Sequence, residues 1–137
     1  MQAAILKVKL NYLDKYTRKR NEVAAYYDRN LTGIKGLELP HRASNSTHVF
    51  HQYTIKVEGK RNRLKEYLAS AGIPTMIYYP IPLHLQNAYR QKEFGEGSFP
   101  VTEKLSKSVL SLPIHTEMND EQLEFITGAV SKYFLNS

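Results

Sequence analysis

The residues best suited to chemistry stand together in one stretch, Ile77-Tyr78-Tyr79-Pro80-Ile81-Pro82-Leu83-His84-Leu85-Gln86-Asn87-Ala88-Tyr89. Three tyrosines, a histidine and a glutamine gather around two prolines. Proline fixes φ and removes a backbone donor, so the stretch reads as a short strand, a rigid turn and a short helix. Such a turn holds planar polar side chains at set angles, as a small-molecule pocket requires. Tyr78, Tyr79 and His84 are the candidate ligand-binding residues. Neighbours on a strand face opposite ways, so at most one of the two tyrosines is expected to be buried. The other is then free to meet a ligand or a partner domain. His84, between two leucines, either satisfies a backbone carbonyl or donates to a hydroxyl or phosphate oxygen of a ligand. Tyr89 is expected to close the turn onto the core.

Other chemistries find little support. Of the five histidines, none forms an H-E-x-x-H pair. His48 and His51 lie three apart on an expected strand, face opposite sides and cannot share a metal there. There is no G-x-S-x-G elbow, Walker A loop or G-x-G-x-x-G fingerprint. The carboxylates are scattered, with no sign of a close acid/base pair. Cysteine is absent, which excludes disulfides and thiolate chemistry and is compatible with the cytoplasm. The net charge of +6 is concentrated in Lys15, Arg18, Lys19 and Arg20, and in Lys56, Lys60, Arg61, Arg63 and Lys65. These runs read as solvated helix faces or as surfaces that attract a phosphorylated molecule. An RNA-binding sheet is not expected, because no RNP-like pattern accompanies the aromatics. No apolar run approaches the ~18 residues a membrane span needs, and no signal peptide is recognisable.

Elements must position the tyrosine stretch. The length of 137 residues suits one domain, and 42% hydrophobic with 23% charged content suits a globular fold. Leu6, Leu10, Leu13, Ala24, Tyr27 and Leu31 recur at helical spacing, which predicts one long helix over 2–30. Alternation over 49–57 predicts a strand. Leu64, Tyr67, Leu68 and Ala71 mark a helix that Gly72 ends. Residues 73–79 are expected to form a second strand, and 91–98 a polar loop. Ser98 is expected to cap a helix with Pro100 in its first turn. Residues 109–112 predict a third strand. Asn119 and Gln122 give a capping box for a last helix with Leu123, Ile126, Val130 and Tyr133 inward. The expected class is α/β, of the α+β kind: a small, mostly antiparallel sheet of about three strands covered by helices, behind a long N-terminal helix. A helical pattern already under way at Gln2, without a capping residue, suggests a piece of a longer protein.

The motifs resemble, in order and along essentially the whole chain, those of the pyridoxal-phosphate-dependent sugar aminotransferases of the DegT/StrS type. Met1-Gln2-Ala3-Ala4-Ile5-Leu6 through Leu10 resembles their "x-QAAIL-x-x-KL" helix. Asn21 to Tyr27 resembles the following "R-x-x-x-A-x-x-Y" pattern, and His48-Val49-Phe50-His51-Gln52-Tyr53-Thr54-Ile55 the "HVYHQYVI" strand. The tyrosine stretch resembles "HYP-x-PLH-x-Q-x-AY", and Phe99-Pro100-Val101-Thr102-Glu103 with Leu110 to His115 resembles "FP-x-x-E…LSLP-x-H".

The resemblance implies the aspartate aminotransferase fold, of which residues 1–137 would be the C-terminal small domain: a leading helix over 1–31 and an α/β body over 48–137. It implies a large domain, not in this chain, that carries the Schiff-base lysine and the aspartate for the cofactor ring nitrogen. Pyridoxal 5'-phosphate is then expected in the full-length protein and not on this fragment, which alone would be inactive. No residue here is assigned as catalytic, cofactor-binding or metal-binding. The implied reaction moves an amino group, commonly from glutamate, to a keto-sugar nucleotide for polysaccharide or glycan precursors. Implied partners are that nucleotide sugar, the large domain and a second copy in a homodimer, in the cytoplasm. Tyr78 stands where the family more often has histidine, which keeps a hydrogen-bonding tip but removes titration near neutral pH. The alternatives are the small domain of a sugar dehydratase of the same family, or a stand-alone ligand- or RNA-binding α/β module.

Overall fold

The computed structural model describes residues 2–136. Met1, the first residue of the leading motif, lies outside them. The helix expected over 2–30 is two helices, α1 (Gln2–Leu10) and α2 (Leu13–Leu31). The chain turns at Asn11-Tyr12, where the Tyr12 N–H bonds back to Lys9 O at 3.0 Å. Asparagine favours such turns over helix interiors. Packing explains the rest: α2 buries Val23, Ala24, Tyr27 and Leu31, whereas α1 buries nothing. The apolar stripe is thus continuous in sequence but buried only in its second half.

The sheet has three antiparallel strands in the order β1 (Leu37–Glu38), β2 (Tyr53–Val57), β3 (Val109–Leu112). Its membership differs from expectation. The strand expected over 73–79 is reduced to one bridge, Met76 to Ser111. Pro74 and Pro80 bracket that bridge, and neither can donate to a ladder. The short β1 takes the remaining place. β2 begins only at Tyr53, because Phe50 adopts φ +47, outside the extended region.

Around the sheet stand α3 (Arg61–Ser70), α4 (Pro100–Ser108) and α5 (Asp120–Leu135). Gly72, at φ +77, lies one residue beyond the C-cap of α3, where the Ile73 N–H reaches back to Leu68 O. That left-handed position suits glycine. Ser98 does not cap α4: Phe99 holds the N-cap without a side-chain bond, and Pro100 begins the helix. For α5 both halves of the Asn119–Gln122 capping box are present.

The core lies between one sheet face and three helices. Tyr53, Ile55, Val57, Leu110 and Leu112 meet Tyr27 and Leu31 of α2, Leu64 and Leu68 of α3, and Leu123, Ile126 and Val130 of α5. Its two tyrosine hydroxyls are satisfied, since a buried unpaired donor is costly. Tyr27 donates to Pro113 O at 2.7 Å and Tyr53 to Asp28 Oδ1 at 2.6 Å. Burial pushes both phenols far above the usual tyrosine range. The other sheet face carries Thr54, hydrogen-bonded to Ser111 at 2.8 Å, and is contacted by α4. Among the described residues, no helix is long and apolar enough to cross a membrane.

Candidate functional site

The tyrosine stretch leaves the sheet after the Met76 bridge and runs over the surface beside α4. The expected short helix is two single turns of 3-10 helix, Leu83–Leu85 and Asn87–Tyr89. Leu85 N–H bonds Pro82 O, Tyr89 N–H bonds Gln86 O, and the Gln86 amide donates to Ile81 O at 3.1 Å. Prolines set the chain direction and these local bonds hold it.

Neither tyrosine is buried. Tyr78 is 39% and Tyr79 74% exposed, with their rings edge-to-face at 5.9 Å. That is within the expectation of at most one buried, and the alternation that could bury one stops where the ladder ends at Met76. Tyr89, expected in the core, is 59% exposed. All three line a cavity of about 670 Å³ with Ile81, Gln86 and Leu105. A neighbouring cavity of about 550 Å³ is lined by His84, Arg90, Gln91, Phe94 and Phe99. Leu83, Tyr89 and Thr102 belong to both, so the two cavities adjoin. Neither lining contains a lysine or a carboxylate.

His84 does not bond a backbone carbonyl. Its Nε2 lies 3.0 Å from Glu103 Oε1, and both side chains are 10% exposed. Glu103, in the first turn of α4, also accepts from the Gly97 N–H at 2.9 Å and the Phe99 N–H at 3.2 Å. The Gly97 N–H does most to hold this carboxyl below the usual glutamate range. Burial opposes that, and Phe99 and His84 reinforce it. One charged acceptor therefore ties together the proline turn, the end of the 91–98 loop and α4. Backbone N–H groups need an acceptor, so Glu103 is the carboxylate and His84 Nε2 is the donor. Read along the chain, Glu103 stands out only as part of a motif. The readable signal was its place in the first helical turn, where carboxylates are favoured.

Two basic residues of the sequence runs prove structural. Arg20 Nη1 donates to Phe50 O, His51 O and Ile114 O, and Arg61 Nη1 donates to Val109 O at 2.8 Å. Lys60 and Arg63 gather with Lys104 and Lys107 around a separate surface hollow. His48 and His115 each accept from a nearby backbone N–H through Nδ1. Among the described residues, no group of His, Asp and Glu could hold a metal ion.

Comparison with known proteins agrees with this architecture. The chain is 42% identical over 135 residues to dTDP-3-amino-3,6-dideoxy-alpha-D-galactopyranose transaminase of Aneurinibacillus thermoaerophilus, covering 97% of this chain and 36% of that protein. It is 41% identical over 136 residues to a Geobacillus stearothermophilus protein named pleiotropic regulatory protein, covering 98% and 36%. Among solved structures, DesV of S. venezuelae superimposes with a TM-score of 0.93 at 36% identity, covering 98% of this chain and 36% of that one. The chain thus spans about a third of the length of the relatives it matches. The model of the DegT/DnrJ/EryC1/StrS aminotransferase family matches residues 1–131, and the chain belongs to that family.

Proposed function

We propose that this chain is the C-terminal small domain of a pyridoxal-phosphate-dependent aminotransferase that acts on a keto-sugar nucleotide, with an amino acid, expected to be glutamate, as amino donor. The observation that carries the reading is the pair Tyr78 and Tyr79. They stand exposed on a braced turn that lines a cavity, inside a chain matched to the family almost end to end. Relatives named as nucleotide-sugar transaminases support the substrate class.

The division of labour follows from the side chains. The cofactor, when bound, supplies the electron sink for amino transfer. Holding it takes a lysine amine for its aldehyde and a carboxylate for its ring nitrogen. Neither cavity offers either, so the residues of this chain do not fit the cofactor by themselves. In this reading the cofactor belongs to a large domain, and the small domain supplies a wall. The Tyr78 and Tyr79 hydroxyls donate to or accept from sugar hydroxyls. Ile81, Leu83 and Leu105 keep water from the sugar face. The fragment alone is then inactive.

Ile5, Leu6, Val8 and Leu10 of α1 are each more than half exposed. In this reading they pack against the large domain, and the isolated chain self-associates through them. Sedimentation velocity of the chain, compared with a Leu6→Ser/Leu10→Ser variant, tests this: the variant is expected to be the smaller species.

The functional test is a chimera. Residues 1–131 replace the matching segment of the Aneurinibacillus thermoaerophilus transaminase. The chimera is expected to transaminate a keto-sugar nucleotide, and Tyr78→Phe with Tyr79→Phe to lower kcat/KM about tenfold or more, as loss of hydrogen bonds to substrate does. A folded chimera without activity toward any nucleotide sugar rejects the reading.

A further inference from the structure

We propose that the hollow between the start of α3 and the lysines of α4 binds a small multivalent phosphate anion of the pyrophosphate class, apart from the tyrosine and His84 cavities. Its residues belong to this chain alone, so it stands or falls separately from the aminotransferase reading.

The first observation is an excess of one charge. Lys60, Arg61, Arg63, Lys104 and Lys107 line this hollow of about 560 Å³, against one lining carboxylate, Glu58. Among the described residues Lys60, Arg63 and Lys104 have no ion-pair partner. Lys107 has Glu96 at 3.9 Å, with both side chains well exposed. Cations gathered around one concavity repel each other, and the protein wall focuses their field into it.

The second observation is the start of α3. Lys60 stands at the N-cap, no side chain accepts there, and the first turn holds no acidic residue. Arg61 and Arg63 occupy that turn instead. The free N–H groups of a helix start carry partial positive charge and favour negative neighbours. Here cations crowd the positive end of a helix, an arrangement that a bound anion relieves.

The third is Arg61, which is 9% exposed. Its Nη1 donates to Val109 O at 2.8 Å and its Nε to Asn62 Oδ1 at 2.7 Å. Its Nη2 makes no hydrogen bond among the described residues, and Arg61 lines the hollow. A guanidinium already held by two bonds loses little freedom when its remaining N–H groups meet a phosphate oxygen.

The shape selects the ligand class. The cations stand on two walls, the start of α3 and two neighbouring turns of α4. Two linked phosphates can meet both walls at once, one at Arg61 and Arg63 and the other at Lys104 and Lys107. α4 separates this hollow from the tyrosine cavity, to which it gives Leu105 and Ser106.

The test is NMR of the isotope-labelled 137-residue chain, titrated at fixed ionic strength with inorganic pyrophosphate and, for comparison, sulfate. Pyrophosphate is expected to shift the Arg61, Asn62 and Arg63 amides and the Arg61 side-chain N–H groups, and to leave the Phe94 and Phe99 rings unmoved. Sulfate is expected to bind about tenfold more weakly, since it reaches one wall. Lys60→Gln with Lys104→Gln is expected to weaken pyrophosphate about tenfold or more, as loss of two charge-assisted contacts does. Lys15→Gln with Lys19→Gln removes the same net charge from α2 and is expected to change the affinity less than about twofold. None of these four lysines has a partner among the described residues, so the β2 and β3 amides are expected to stay in place in both variants. The proposal is overturned if the α2 variant loses as much affinity, if sulfate binds as well as pyrophosphate, or if the amides at the start of α3 do not respond. Vesicles of phosphatidylglycerol in phosphatidylcholine give the last arm. No binding to them, or binding that pyrophosphate displaces, supports the free anion. Vesicle binding that is lost in the Lys60/Lys104 variant but untouched by pyrophosphate makes the hollow a membrane-facing surface and sinks the proposal.

Discussion

Tyr53, Ile55 and Leu110 are wholly withdrawn from water, while Tyr78, Tyr79, Tyr89 and Phe94 keep 39% to 74% of their surface in it. The first group belongs to the sheet and its three helices, held by apolar burial that needs no particular direction. The second belongs to the segment over 77–99, held by prolines, two tight turns and the Glu103 carboxylate. Burial tolerates substitution by similar shapes. Directed hydrogen bonds do not, because each acceptor has a fixed place. The difference teaches that the fold and the geometry of the site have separate supports, so either can be disturbed with little change in the other.

The largest expected effect falls on the core. Ile55→Ala is expected to cost about 2–5 kcal/mol in urea unfolding, as buried isoleucine truncations do. Retention of full stability would contradict the packed core described above. Glu103→Ala is expected next. Hydrogen exchange should show the Gly97 and Phe99 amides losing protection while Ile55 and Leu110 keep theirs. Simultaneous loss at all four would mean one cooperative unit and would erase the distinction between the regions. The same contact carries a pH dependence. A carboxyl whose folded pKa is depressed gives its full contribution above the ordinary glutamate range and loses it as pH falls through the lower, folded value. Protection at Gly97 is therefore expected to be constant near neutrality and to fall only in acid, with that acid step absent in Glu103→Gln.

Smaller effects sharpen the contrast. Asn119→Ala removes half of the α5 capping box and is expected to cost about 1 kcal/mol, seen as a lower urea midpoint. Tyr79→Phe, on the exposed turn, is expected to change stability by less than about 0.5 kcal/mol, so that any fall in chimera activity reports binding and not folding.

Much of the first region was legible in the chain. The alternation of Tyr53, Ile55 and Val57, the helical spacing of Leu64 and Leu68, and the Asn119–Gln122 box each name a local structure whose cause lies within a few residues. The second region was legible only as composition. The residues 77–89 announced a rigid, polar-aromatic turn, yet the exposure of both tyrosines depended on where the ladder stopped. That was settled by β3, more than thirty residues away, which bridges the segment at Met76 alone, through Ser111. Arg20 looked like a surface cation, but its three carbonyl partners come from distant loops.

What the amino-acid order determined by itself was periodicity, punctuation and family likeness: which stretches coil, which extend, where glycine and proline end them. These depend on φ, ψ and side-chain spacing, which are local properties. What only the tertiary structure decided was which half of the leading apolar stripe is covered, and which groups meet across the chain. Glu103 finds His84 nineteen residues back because α4 returns beside the proline turn. A hydrogen bond depends on distance and direction in space, and neither is written in the separation of two residues along a sequence.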